Sequence, residues 1–457
     1  MNHTTRRAYA LYVLVAAFFI GAAILTVTLY VNGGAWASNR ANRHLYSGGQ
    51  LVSAGSIYAR DGEVLAKSDG AKREYNKSKT LRLATLHTIG DTAGFIATGI
   101  HSVYKQELSG YSFINGVYLL KEYGRGSDIY LTIDPKASVA AYNALGSFKG
   151  TVGVYNYKTG EILCMVSTPA YDIANKPKDV ADNSEKYEGV YLNRFISGLY
   201  TPGSTMKVIT AAAAIENIPD IYTRTFECTG KLQTANGVVT CPSVHGTLNF
   251  EKAMNKSCNS VFAQIAIDLG KEKMQAQGDA MGLNSAFKVG RVTTAKGTFS
   301  LAGANDLDLG WAGIGQYTTL VNPSQMITLM GAIANGGAGI SPFVVDRIVS
   351  PTKTVTQRGS LTATTGLSIN ATTAQKLKEL LRSNVMNSYG DSRFPGLEMC
   401  GKTGTAQAQE DKEPHAWFVG FSQRTDLPLA VVVVVENGGS GSNKAIPIAN
   451  SVLQTLD

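Results

Sequence analysis

No dense stripe of Lys and Arg interleaved with aromatic residues occurs in this chain, which argues against nucleic acid as a partner despite a net charge of +8. No internal repeat is present either, which excludes solenoid and propeller arrays. Charge is sparse, at 17% of 457 residues, and Gly and Ser are scattered rather than clustered, so the composition is that of a folded protein. Cysteine is scarce as well. There are five, at 164, 228, 241, 258 and 400. An odd number leaves at least one free thiol or an intermolecular pair. The length suffices for one large domain and a smaller one.

Residues Tyr9 to Val31 are 23 consecutive uncharged, mostly apolar positions. About 20 such residues cross a bilayer as a helix. A cleaved leader is the competing reading, because Ala35-Trp-Ala37 imitates a cleavage site, but leader cores run only about 7–15 residues. Arg6 and Arg7 precede the span, so residues 1–8 are expected to stay in the cytoplasm and the rest to lie outside. The positive balance suits a membrane lipid surface or an anionic wall polymer.

Residues 32–49 read as a polar, Gly-rich stalk, and 32–128 together as a small membrane-proximal platform. Within it, 51–66 has the pattern of a hairpin turning at Asp61-Gly62. Asp134 before Pro135 starts a helix. Strands are expected at 151–157 and 161–167, joined by Lys158-Thr-Gly160, and again at 397–405, 416–422 and 429–436. Helices are expected at 253–269, 324–334, 373–385 and 446–456, and a connecting loop with short strands at 350–373. Two strands, many helices, then three strands and a helix predict an α+β domain over 129–457, whose single sheet draws strands from both its ends.

Ser204 opens the chemically informative stretch, Tyr200-Thr-Pro-Gly-Ser-Thr-Met-Lys207, ahead of the apolar run 208–215. A serine hydroxyl is a weak nucleophile until a base takes its proton. On a helix, positions i and i+3 share a face, so Lys207 can reach Ser204. Apolar neighbours disfavour an ammonium, and a neutral lysine is a base. Free backbone N–H groups at a helix start favour an oxyanion. Ser-x-x-Lys also occurs at Ser102, Ser285 and Ser350, so the spacing alone is weak. Only Ser204 follows Pro-Gly and opens an apolar helix. Ser257-Cys-Asn259 lies 53 residues on, and Lys402-Thr-Gly-Thr405 another 145. Ser368-Ile-Asn370 and Lys158-Thr-Gly160 are decoys for these two; the latter reads as a hairpin turn.

The ordered set of 204, 257 and 402 resembles the penicillin-binding proteins, in particular the membrane-anchored class B transpeptidases. The resemblance covers roughly 129–457 and includes Gly150-Thr-Val-Gly-Val154, Gly315-Gln316, Ala334-Asn-Gly-Gly337 and His415-Ala-Trp-Phe-Val-Gly420. It implies the transpeptidase fold: an antiparallel sheet flanked by helices, with a helical subdomain. Ala54, where an arginine is common, and Tyr317, where glycine is usual, depart from the pattern outside the three motifs.

By the same resemblance Ser204 forms the acyl-enzyme and Lys207 is the general base. Ser257 relays a proton to the leaving group, and Asn259 fixes Lys207 and binds substrate amide. Lys402 polarises Ser257 and attracts the terminal carboxylate, which the Thr403-Gly404-Thr405 segment binds. The N–H groups of Ser204 and Thr405 form the oxyanion hole. Peptidoglycan stem peptides ending in D-Ala-D-Ala would be cross-linked to a neighbouring amine, and β-lactam antibiotics would block Ser204. No cofactor is implied. The segment before residue 129 leaves no room for a glycosyltransferase domain. The resemblance therefore implies a separate polymerase of the shape, elongation, division and sporulation family.

Three rival functions share features. A β-lactamase would need a placed carboxylate to activate water and usually has no anchor. A D,D-carboxypeptidase shares every motif but usually carries a C-terminal anchor. A non-catalytic β-lactam sensor or scaffold would be expected to carry a signalling domain or to have lost a motif.

Cys228, Cys241 and His245 allow a disulfide closing the 228–241 loop, unpaired thiols, or a structural zinc for which no fourth ligand is evident. Cys164, Cys258 and Cys400 are expected in the core. A Ser-His-Asp triad through His415 or His245 is disfavoured, because Lys207 already supplies a base. Trp417 and Phe418 read as sheet positions rather than groove residues.

Overall fold

The computed structural model describes residues 3–39, 41, 46–47, 50–70, 72–112, 116–117, 126–180, 182, 185–360, 363–407 and 411–457. In chain order the elements that matter here begin with helix α1 (His3–Ala37), then strands β1 (Ile57–Tyr58), β2 (Val64–Asp69), β3 (Lys72–Tyr75) and β4 (Asp128–Leu131). Helix α2 (Pro135–Leu145), strands β5 (Gly150–Asn156) and β6 (Ile162–Thr168), and helices α3 (Lys207–Asn217), α4 (Asn259–Ala280) and α5 (Pro323–Ala334) follow. Strands β7 (Val345–Val349) and β8 (Val355–Arg358), helix α6 (Ala371–Asn384), strands β9 (Met399–Ala406), β10 (His415–Ser422) and β11 (Leu429–Val435), and helix α7 (Gly441–Leu453) complete the set.

Continuous apolar runs need cover on both faces, and here they receive it. All seven residues of β11 are buried. The sheet is antiparallel, in the order β6-β5-β11-β10-β9, so strands from both ends of the expected domain meet at the β5–β11 pair. Helices α2 and α7 pack on one face. Helix α5 covers the other, with α3 and α4 beyond it. Strand β9 is an edge strand, and this leaves one row of its backbone groups open.

A second sheet, β8-β7-β4-β1-β2-β3, makes the platform. Its register pairs Ile348 with Ile129, and Ile129 in parallel with Ile57. Strands β7 and β8 thus come from the far half of the chain, and the expected boundary at 128/129 falls inside β4. The hairpin at 51–66 forms as β1 and β2. Helix α1 runs through the expected span and on to Ala37, so residues 32–37 are helical rather than an extended stalk. Thr4–Ala37 is long and apolar enough to cross a membrane.

One expected helix is two. The stretch 253–269 breaks into Phe250–Asn255 and α4, with Ser257 and Cys258 in the gap. Ser257 has φ +48, a left-handed backbone that costs an L residue about 1–2 kcal/mol, and Cys258 is extended. Periodicity cannot reveal such a break, because apolar positions continue at helical spacing on both sides.

Arg82 is one of the ties between the platform and the catalytic part. It meets Asp172 through two parallel hydrogen bonds of 2.7 Å and also donates to the carbonyls of Asn76 and Lys77. Arg82 holds the Asp172 carboxyl down at about 2. This contribution is present above the ordinary carboxylate range and is lost as pH falls towards 2. Asp172→Asn is expected to lower stability by about 2 kcal/mol, since it removes the charge that Arg82 holds ionised while leaving Arg82 its two carbonyl partners. Thermal unfolding of the full chain in detergent reads this; a change within experimental error would refute the tie.

Candidate active site

Ser204 lies in a 3-10 turn, Gly203–Met206, immediately before α3. In a 3-10 turn residues i and i+3 eclipse, which brings Lys207 directly to Ser204. The turn is pressed against strand β9. A Cβ on Gly404 would sit 2.7 Å from the Pro202 carbonyl oxygen, and one on Gly203, at φ +53, 2.7 Å from that of Thr405. Glycine at these two positions is what lets the nucleophile turn approach the strand. Trp417 on β10 is fully buried and donates from Nε1 to the Thr201 carbonyl at 3.1 Å, so it braces the turn from behind.

All three motifs converge. Lys207 Nζ lies 3.1 Å from Ser204 Oγ, 2.6 Å from the Ser257 carbonyl, 3.1 Å from Ser257 Oγ and 2.8 Å from Asn259 Oδ1. Lys402 Nζ lies 2.9 Å from Ser257 Oγ and 3.0 Å from the Thr403 carbonyl. Both lysines are fully buried. Burial, then the neighbouring Lys402, pushes Lys207 well below the ordinary lysine range. Burial pulls Lys402 down to about 7.

The Ser257 carbonyl and Asn259 Oδ1 can only accept, so each takes a hydrogen of the Lys207 amine. When that amine is neutral, its lone pair is left on the side of the Ser204 and Ser257 hydroxyls, and a serine hydroxyl beside it can lose its proton as it attacks a carbonyl.

Ser204, Ser257 and Asn259 line a cleft of about 660 Å³, together with Thr403, Thr405, Trp311, Gln316 and Tyr317. Tyr317 has φ +67, which explains why glycine is usual there; the tyrosine holds a left-handed backbone at the mouth of the cleft. Strand alternation puts the N–H of Thr405 on the same edge of β9 as that of Thr403, which donates to the Tyr389 phenol oxygen at 3.0 Å.

The other candidates separate. The nearest aromatic neighbours of the His415 ring are those of Tyr200 at 5.7 Å, and its Nδ1 accepts from Asn437 N. It does not meet Ser204. Cys164 and Cys400 are buried in the core. Of the three alternatives open to Cys228 and Cys241, the disulfide is not formed: all five cysteines are free thiols. Cys228, Cys241, His245 and Cys258 instead converge, with all four ligand atoms within 4.8 Å of one another. His245 Nδ1 is 3.5 Å from the sulfurs of both Cys228 and Cys241, and Cys241 Sγ is 3.9 Å from Cys258 Sγ. Cys258 is buried in the core as expected and is also the fourth member of this cluster. Its place between two catalytic-motif residues masked it.

Fold and site together define a serine acyl-transfer enzyme. Residues 150–454 match the penicillin binding protein transpeptidase domain family. The chain is 30% identical over 363 residues to the peptidoglycan D,D-transpeptidase PbpA of Mycobacterium tuberculosis, covering 72% of each chain. It is 29% identical over 364 residues to PbpA of Mycolicibacterium smegmatis, again over 72% of each. The solved structure of penicillin-binding protein A from M. tuberculosis as its ceftriaxone acyl-enzyme superposes with a TM-score of 0.77 at 25% identity, over 88% of this chain and 97% of that one. The chain belongs to the penicillin-binding protein transpeptidase family.

Buried lysines with depressed proton affinity make stability depend on pH. Between about 7 and 10.4 the unfolded chain binds a proton at Lys402 that the folded protein does not, so stability rises with pH across that window. Lys402→Met is expected to reduce the slope by up to about 1.4 kcal/mol per pH unit and to abolish acylation. Urea midpoints at pH 7 and 9 read the slope; an unchanged slope would contradict the depressed Lys402.

Proposed function

We propose that Ser204 is the nucleophile with which this D,D-transpeptidase cross-links peptidoglycan. The observation that carries the assignment is the 3.1 Å approach of Lys207 Nζ to Ser204 Oγ, within a buried cluster that also gathers Ser257 and Asn259. Ser204 Oγ attacks the carbonyl between the two terminal D-Ala residues and passes its proton to Lys207. The N–H groups of Ser204 and Thr405 hold the oxyanion. Ser257, bridging Lys207 and Lys402, delivers a proton to the departing D-Ala amine. Asn259 holds Lys207 and meets the substrate amide, and Lys402 with Thr403-Gly404-Thr405 receives the terminal carboxylate. A neighbouring stem-peptide amine then takes the acyl group, and Ser204 is regenerated. β-Lactams acylate the same serine.

Transfer is favoured over hydrolysis by the cleft lining: among the described residues, no Asp or Glu lines it. Helix α1 serves as a single-pass anchor, with residues 1–8 inside and the catalytic domain outside, where membrane lipid surrounds the helix. The glycan strands come from a separate membrane polymerase of the shape, elongation, division and sporulation family.

No cofactor enters the reaction. A structural zinc is nonetheless favoured at Cys228, Cys241, His245 and Cys258. Zinc bond lengths of about 2.3 Å to sulfur and 2.0 Å to nitrogen give tetrahedral edges of about 3.8 and 3.5 Å, close to the separations found here. Such an ion would tie Cys258, and with it Ser257 and Asn259, to two neighbouring strands. Metal analysis of the purified protein is expected to find about one zinc per chain, lost in Cys228→Ser; a metal-free wild type would refute it.

Fluorescent penicillin is expected to label the full chain in detergent and to leave Ser204→Ala unlabelled. Labelling that survives the substitution would overturn the site, and rapid turnover of the label would favour a hydrolase.

A further inference from the structure

Tyr389 closes a π-helical turn, Val385–Tyr389, that extends α6 towards strand β9. Turns of this kind are rare and often lie at functional sites. The phenolic oxygen is 3.0 Å from Thr403 N, 2.9 Å from Thr403 Oγ1 and 3.0 Å from Asn384 Nδ2. Asn384 is buried, and its Nδ2 also lies 2.7 Å from the Gly401 carbonyl. Only the nitrogen of that amide can face a carbonyl, so its orientation is fixed.

Counting hydrogens settles the rest. A phenol oxygen accepts two hydrogen bonds and donates one. The N–H groups of Asn384 and Thr403 occupy both acceptor positions. The third contact must therefore use the phenol's own hydrogen, and Thr403 Oγ1 must accept it. Burial raises the proton affinity of Tyr389, so that hydrogen stays in place. The hydroxyl hydrogen of Thr403 is thus left free to point away from Tyr389. Thr403 lines the cleft with Ser204 and Ser257.

We infer that Tyr389 is a positioning residue that makes the Thr403 hydroxyl a hydrogen-bond donor into the cleft, and so selects acyl donors that end in a carboxylate. The inference rests on the proposed carboxylate site at Thr403. A hydrogen bond to a charged acceptor is roughly twice as strong as one to a neutral acceptor, so a carboxylate gains more from this donor than an ester does. Without the phenol, Thr403 can turn its hydrogen elsewhere, and the preference weakens.

The test compares second-order acylation rates for a β-lactam carrying its carboxylate and for the methyl ester of the same compound. Wild type, Tyr389→Phe, Thr403→Val and the double variant are measured as full chains in detergent, with thermal midpoints alongside. Wild type is expected to prefer the carboxylate, and Tyr389→Phe to shrink that preference about tenfold, chiefly by slowing the carboxylate. In the Thr403→Val background, Tyr389→Phe is expected to change the preference no further. Equal slowing of both compounds would reduce Tyr389 to a purely structural part and overturn the proposal. A preference that Tyr389→Phe leaves intact would overturn it while sparing the carboxylate site. A wild type with no preference would overturn the carboxylate site itself, and the proposal with it.

Discussion

One buried amine holds the catalytic centre together. Lys207 Nζ touches a serine from its own turn, a carbonyl and a hydroxyl of Ser257, and the amide of Asn259. These groups come from segments 50 residues apart that share no secondary-structure element. Removing such a group from water is costly, and the cost is met by accepting oxygens and by a lowered proton affinity. That lowering is what suits the lysine to the role of base proposed for it. Burial, assembly and reactivity here have a single cause.

The sheet makes that burial possible. Strand β9 arrives from the end of the chain and lies against the nucleophile turn only because Gly203 and Gly404 lack side chains. Lys402 on this strand also reaches the Ser257 hydroxyl, so one serine hydroxyl bridges two amines. Ser257 adopts a left-handed backbone to do so. Strain at this position is consistent with a residue held by its neighbours for chemistry rather than for local comfort.

Much of this was legible in the residues. Ser204 stood out by Pro-Gly before it and an apolar helix after it, and the β5–β6 hairpin and strands β9 to β11 could be read within a few residues. Ser257, Asn259 and Lys402 emerged as partners through order and resemblance, not through any pattern of their own. The break of a single helix at Ser257 was hidden, because it depends on contacts made by Lys207 from a distant segment. Cys258 packs in the core as expected, but its place in a cluster is not legible until the 225–249 strands bring Cys228, Cys241 and His245 beside it. Tyr389 left no signal, since its role comes from one hydroxyl facing a strand edge.

The platform sheet has a consequence for biosynthesis. Strands β1 to β4 leave the ribosome early, but β7, which pairs with β4 through Ile129 and Ile348, is made long afterwards. Until then β4 has an unpaired edge, the kind of surface that invites wrong partners. The platform therefore cannot mature ahead of the catalytic domain it supports. A ribosome that stalls anywhere before residue 345 leaves a membrane-tethered chain with an open sheet, distinguishable to quality-control proteases from the finished enzyme.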